Sequence, residues 1–114
     1  MIATQMVIGQ TRPMAAMPEQ LPREMRSEMT PERIGHRLYL LRTALGMSPS
    51  EMADRLGIER TYWSRFEGGR RAITESMAAL LVARFGVTLD FIILGRWDKL
   101  PLDLAEAMRS IPPK

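Results

Sequence analysis

A chain of 114 residues, 46% of them hydrophobic and 25% charged, holds one ordinary domain with a tail and can bury a core without crosslinks. The absence of cysteine excludes disulfide scaffolds, thiolate zinc sites and thiol nucleophiles, and a single histidine, His36, removes the material for metal triads and most acid/base relays, so neither a cofactor nor an enzyme is expected. The net charge of +3 is small, yet 14 of the 16 basic residues are Arg, a fork-shaped donor suited to phosphate and guanine edges, so composition leans toward an anionic partner as readily as toward a codon bias.

No apolar stretch reaches the roughly 18 residues a membrane helix needs, and no basic segment precedes an apolar run near Met1. The expectation is a cytoplasmic protein with no membrane contact. Residues 1–29 hold six of the ten methionines and three of the eight prolines, and their three Arg balance their three Glu, so the whole +3 falls in residues 30–114. Pro13, Pro18 and Pro22 recur too closely for a long helix, and the segment reads as a disordered arm that orders only on contact with a partner.

From Thr30 the pattern is all-α, with no strand signal. Thr30, Pro31 and Glu32 supply a cap, a first-turn proline and a first-turn acid, and Ile34, Leu38, Leu41 and Leu45 follow at helical spacing. Ser48-Pro49-Ser50-Glu51 is a capping box that opens a second short helix, with Met52, Ala53 and Leu56 facing inward and Gly57 ending it. A third helix is predicted from about Arg60 to Glu67, with Ile58, Trp63 and Phe66 facing the core. Thr74 caps a fourth, whose Met77, Leu80, Leu81, Val82 and Phe85 predict a central, buried helix. Thr88 caps a fifth through Leu94, and after a link at residues 96–99 a last amphipathic helix carries Leu104, Ala105, Met108 and Ile111 on one side. The domains expected are an arm at 1–29, a helical domain at 30–95, and a link with a C-terminal helix at 96–114.

Two short helices joined by the turn Leu56-Gly57-Ile58 form a helix-turn-helix pattern, in which the second helix enters the major groove of DNA. Ala53 is small where the two helices cross. Arg55, Arg60, Arg65, Arg70 and Arg71 crowd the later half of this unit and the loop beyond it, opposed there by Glu59 and Glu67 alone. Arg60, Thr61 and Tyr62 fall on the first turn of the third helix and Arg65 one turn on, opposite Trp63 and Phe66, as a reading face would. A solvated basic face is the competing explanation.

The runs Ile34-Gly35-His36-Arg37-Leu38, Leu41-Arg42, Gly46-Met47-Ser48, Met52-Ala53, Leu56-Gly57-Ile58, Ser64-Arg65-Phe66-Glu67, Gly69-Arg70-Arg71 and Phe85-Gly86-Val87-Thr88-Leu89-Asp90-Phe91-Ile92 resemble the lambda-repressor/Cro-like helix-turn-helix family (XRE family) over about residues 30–95. The resemblance implies a five-helix DNA-binding domain, usually dimeric on a near-palindromic operator. It puts base reading on Arg60, Thr61 and Arg65 with Tyr62 beside them, and phosphate contact on Arg70 and Arg71, with Ser48, Ser50 and Ser64 added as phosphate contacts. It also implies a structural ion pair between Arg42 and Glu67. Two positions depart from the family pattern. Pro49 stands where a phosphate-touching Gln is frequent, which leaves that contact to Ser48 or Ser50. Glu59 stands where Ser or Thr usually caps the third helix, and it is a poorer cap and a charge repelled by DNA unless it accepts from a cytosine amine or restrains Arg60.

Among the remaining residues, His36 reads as solvated and Trp63 as core. Trp97 either anchors the last helix or lies at a subunit contact. Leu89, Phe91, Ile92 and Leu94, with the Leu104-Ala105-Met108-Ile111 face, exceed what a five-helix core needs, and Leu89, Phe91, Ile92, Leu104 and Met108 are expected at a homodimer interface, against the alternative of a last helix that folds back as a lid. The function these features imply is a sequence-specific transcriptional regulator, a repressor binding an inverted repeat in double-stranded DNA as a homodimer. The alternative is an antitoxin or interaction module that binds a partner protein through residues 1–29, with DNA binding secondary.

Overall fold

The computed structural model describes residues 21–114, which form seven helices and no strand. They are α1 (Arg23–Glu28), α2 (Pro31–Ala44), α3 (Pro49–Leu56), α4 (Arg60–Glu67), α5 (Glu75–Phe85), α6 (Leu89–Leu94) and α7 (Leu102–Arg109). Five of them, α2 to α6, are the helices expected for the domain, and α7 is the expected C-terminal helix. The caps form where the sequence places them: Thr30, Ser48, Thr74 and Thr88 each accept a backbone N–H three residues on, and Glu51 closes the capping box on Ser48.

The core is arranged around α2, which buries Ile34, Gly35, Arg37, Leu38, Leu40 and Leu41 and packs against α4, α6 and α7. Gly35 sets the approach of α2 to the end of α4. A Cβ at this position would lie 2.5 Å from the Glu67 carbonyl oxygen and 2.7 Å from that of Phe66, both backbone atoms that cannot give way. Met52, Ala53, Trp63, Phe66, Leu81, Val87, Phe91 and Ile92 complete the core.

Three expectations change. Residues 23–28, expected to be part of a disordered arm, are α1, which packs against α2 and α6, while residues 1–20, most of the segment assigned to a partner protein, lie outside the described residues. Glu28 accounts for the docking of α1, because its carboxylate takes Arg33 and Arg37 and its carbonyl accepts from Arg37 Nη1 at 3.0 Å. The fourth predicted helix, α5, is peripheral. It fully buries only Ala78 and Leu81, while Met77, Leu80, Val82 and Phe85 pack against the core half-buried, and the centre is taken by α2.

The third change concerns the apolar surplus. Phe91, Ile92 and Met108 are buried inside the chain's own core, so they face no partner, and of the expected interface Leu89 and part of Leu104 meet solvent. The surplus is taken up because α7 folds back on α2, burying Leu100, Ala105 and Met108. Trp97 anchors this lid, its ring edge-on to Phe91 at 5.1 Å and covered by the Arg109 guanidinium at 5.0 Å.

Candidate nucleic-acid interface

The corner between α3 and α4 follows from small residues. Gly57 ends α3 in the left-handed conformation, the Ile58 N–H returns to the Ala53 carbonyl at 3.0 Å, and buried Ala53 lets the two helices cross closely. Helix α4 then buries Trp63, Phe66 and Glu67 and turns Arg60, Thr61, Tyr62 and Arg65 to solvent. The split between anchoring and exposed residues is the 3.6-residue period itself.

One polar network holds α4 in place. Arg42 on α2 grips Glu67 through two hydrogen bonds, Nε to Oε1 at 2.8 Å and Nη2 to Oε2 at 2.9 Å, and donates a third to the Met47 carbonyl at 2.9 Å. The Trp63 indole N–H donates to the same Glu67 Oε1 at 2.6 Å, and Lys114 lies 3.6 Å from Oε2. Burial alone would raise the pKa of Glu67, but the Arg42 bonds and charge, with Trp63 and Lys114, outweigh it and hold the carboxyl below its ordinary value. The hydrogen bonds from Arg42 to Glu67 raise the guanidinium in turn. Glu67 is thus neutralised from within and leaves the basic groups on the outer face unopposed by it.

Beyond α4 the chain doubles back. The backbone N–H groups of Arg70 and Arg71 both donate to the Arg65 carbonyl, at 2.9 and 3.2 Å, which sets the loop against the end of the helix. Between helix and loop lies a cleft of about 530 Å³ lined by Thr61, Ser64, Arg65, Arg70 and Arg71. Three guanidinium groups and two hydroxyls around one open concavity suit the oxygens of a phosphate diester. Tyr62 stands beside it, 42% exposed, with the Arg71 guanidinium 5.2 Å from its ring centre.

The cleft therefore gathers Thr61, Ser64, Arg65, Arg70 and Arg71, of which Thr61 and Arg65 had been placed with base reading and the rest with phosphate. Arg60 is exposed on the first turn outside the cleft lining. Ser48 and Ser50 are exposed at the start of α3 and also outside it, and the Ser48 hydroxyl is already engaged as a cap. Glu59 stands at the N-cap of α4 without a side-chain cap bond. His36 is exposed and outside the cleft lining, and partial burial with the charges of Lys114, Arg33 and Arg37 lowers its pKa. The stacking of Arg71 on Tyr62 joins residues nine apart across a helix and a loop, a separation that no helical spacing rule covers.

None of the described helices is long and apolar enough to cross a membrane. Among the described residues no group of three or more His, Cys, Asp or Glu side chains converges as a metal site would require. Nothing among the curated proteins or the solved structures matches the chain. Residues 33–90, half of the chain, match the family described as the helix-turn-helix domain. That span runs from the first half of α2 to the start of α6 and contains the α3–α4 corner, the Arg42–Glu67 pair and the cleft, and the chain belongs to the helix-turn-helix domain family, in its lambda-repressor-like (XRE) group of DNA-binding domains.

Proposed function

We propose that the protein is a cytoplasmic, sequence-specific transcriptional regulator, a repressor that binds an inverted-repeat operator in double-stranded DNA as a homodimer. The observation that carries this reading is the cleft of Thr61, Ser64, Arg65, Arg70 and Arg71 beside the exposed first turn of α4. Helix α4 enters the major groove, Arg60 and Arg65 present forked donors to base edges, and Arg70 and Arg71 take the phosphate backbone. Most of the affinity is electrostatic and falls steeply with salt, while the helix face supplies sequence choice. Leu89 and Leu102, 50% and 67% exposed, are large apolar side chains left in water, and with Leu104 they support a contact between two copies.

Selection of bound duplexes from a random DNA pool tests the whole reading. An enriched inverted repeat with half-sites about 10 bp apart is expected. Enrichment of no sequence would refute it. Within that assay Arg65→Ala costs about 1–3 kcal/mol and relaxes preference at one base pair, whereas Arg70→Ala weakens all sequences alike. Equal loss on specific and random duplexes for both variants would overturn this division. Sedimentation that stays monomeric at high micromolar concentration, with and without operator, would remove the dimer.

A further inference from the structure

We infer that Tyr62 is the positioning residue of the phosphate contact, a ring on which Arg71 is held ready, and that it does not itself read a base. The inference rests on the DNA-binding reading above and assigns a role inside it.

The loop after α4 brings Arg65, Arg70 and Arg71 around a single cleft, and like charges at such range repel and spread. Long Arg side chains also lose considerable rotamer freedom when a ligand fixes them. A carboxylate would hold one of them in place, but it would cancel the charge and repel the phosphate the cleft is suited to receive. The nearest acid on α4, Glu67, is buried and bound to Arg42. The group that meets Arg71 is the face of Tyr62, 5.2 Å from the guanidinium carbon. An aromatic face attracts a guanidinium through its quadrupole and leaves the cation's full charge and edge donors free.

The backbone makes the arrangement specific. With the Arg70 and Arg71 N–H groups both tied to the Arg65 carbonyl, the root of the Arg71 side chain is fixed. Its guanidinium then reaches back from the loop to the first turn of α4, alongside the cleft lined by Thr61, Ser64 and Arg65. Tyr62 is itself set by its place on α4 between Thr61, which lines the cleft, and buried Trp63. Arg71 thus takes up one face of the ring, the face a base would otherwise stack on.

The test is a cycle of four variants of the full chain, Tyr62→Phe, Tyr62→Ala, Arg71→Ala and the double Tyr62→Ala/Arg71→Ala, titrated with selected and random duplexes over a series of salt concentrations. Tyr62→Phe keeps the ring and is expected to bind as wild type. Tyr62→Ala is expected to weaken both duplexes equally, by about two- to fivefold, the size of an exposed cation–π contact. It should also reduce the slope of log K against log salt by up to about 0.9, the value for one phosphate contact. The double variant is expected to bind no more weakly than Arg71→Ala. Because Tyr62 is half exposed, unchanged melting of Tyr62→Ala checks that the fold survives.

Full additivity of the two substitutions would overturn the inference while leaving the DNA-binding reading intact. So would a changed base preference in Tyr62→Ala with an unchanged salt slope, which would return Tyr62 to base reading. A wild-type chain that binds no duplex in a salt-dependent way would overturn the DNA-binding reading itself.

Discussion

Glu67 accepts from three donors on two other side chains, Arg42 twice and Trp63 once, while the backbone beneath it lies against Gly35. Its charge is therefore a condition of the place of α4. Glu67→Gln leaves Arg42 and the indole only a neutral partner, and stability at neutral pH is expected to fall by about 3 kcal/mol, the cost of breaking a buried pair. Because the folded state lowers this carboxyl below its ordinary value of 4.5, its contribution is fully present above that pH and is lost as the pH falls through the lower folded value. The gap between wild type and Glu67→Gln should accordingly be widest near pH 7 and close progressively below about pH 4.5. Urea midpoints at several pH values measure it. A gap that stays constant down to pH 3 would mean that the Glu67 charge is not what holds the pair together.

The start of α3 and the start of α4 form a natural comparison at the level of the element. Helix α3 has a complete capping box, with the Glu51 N–H donating to Ser48 Oγ at 3.1 Å and the Ser48 N–H to Glu51 Oε1 at 2.7 Å. At α4 the cap residue is Glu59, whose side chain makes no cap bond. Ser48→Ala should cost about 1 kcal/mol. Glu59→Ser should stabilise by a smaller amount, about 0.5 kcal/mol, since the new cap is offset by the loss of an acid from a helix N-terminus. The same substitution removes a negative charge from the end of α4 that the proposed function turns toward DNA, so random-duplex affinity is expected to rise. Thermal melting and a duplex titration check the two halves, and a loss of specific binding would assign Glu59 to a cytosine amine.

For the molecule as a whole, the decisive side chain is Arg37. Buried at 6% exposure, it donates to the Glu28 carbonyl at the end of α1 and to the Ile92 carbonyl in α6 at 2.8 Å, and it meets the Glu28 carboxylate. Burial lowers its pKa, and Glu28 counteracts this. One guanidinium thus ties α1, α2 and α6 together and makes residues 23–28 part of the domain. Glu28→Ala is expected to cost about 1.5–3 kcal/mol, as for a lost hydrogen bond to a charged group, and to expose α1 to hydrogen exchange. If α1 is a mere extension of an arm, neither effect appears.

Much of the fold was legible because its signals are local. Caps, first-turn prolines and helix-ending glycines act within a few residues, and they placed five helices of the domain and the last one in order. The composition of the α3–α4 unit likewise showed which side chains of α4 would be exposed, since the period of the helix decides it. Other features depend on groups far apart in the chain. Phe91, Ile92 and Met108 look surplus until α7 closes over α2, and α5 looks central until α2 takes the centre. Helix α1 is short and meets α2 through an ion pair, which leaves no apolar period to read. Which residues are helical and where positive charge gathers can be read along the chain, because propensity and composition are local. The meeting of Arg71 with Tyr62, of Arg37 with Ile92 and of three arginines in one cleft was decided by packing, which sets distances that spacing along the chain does not contain.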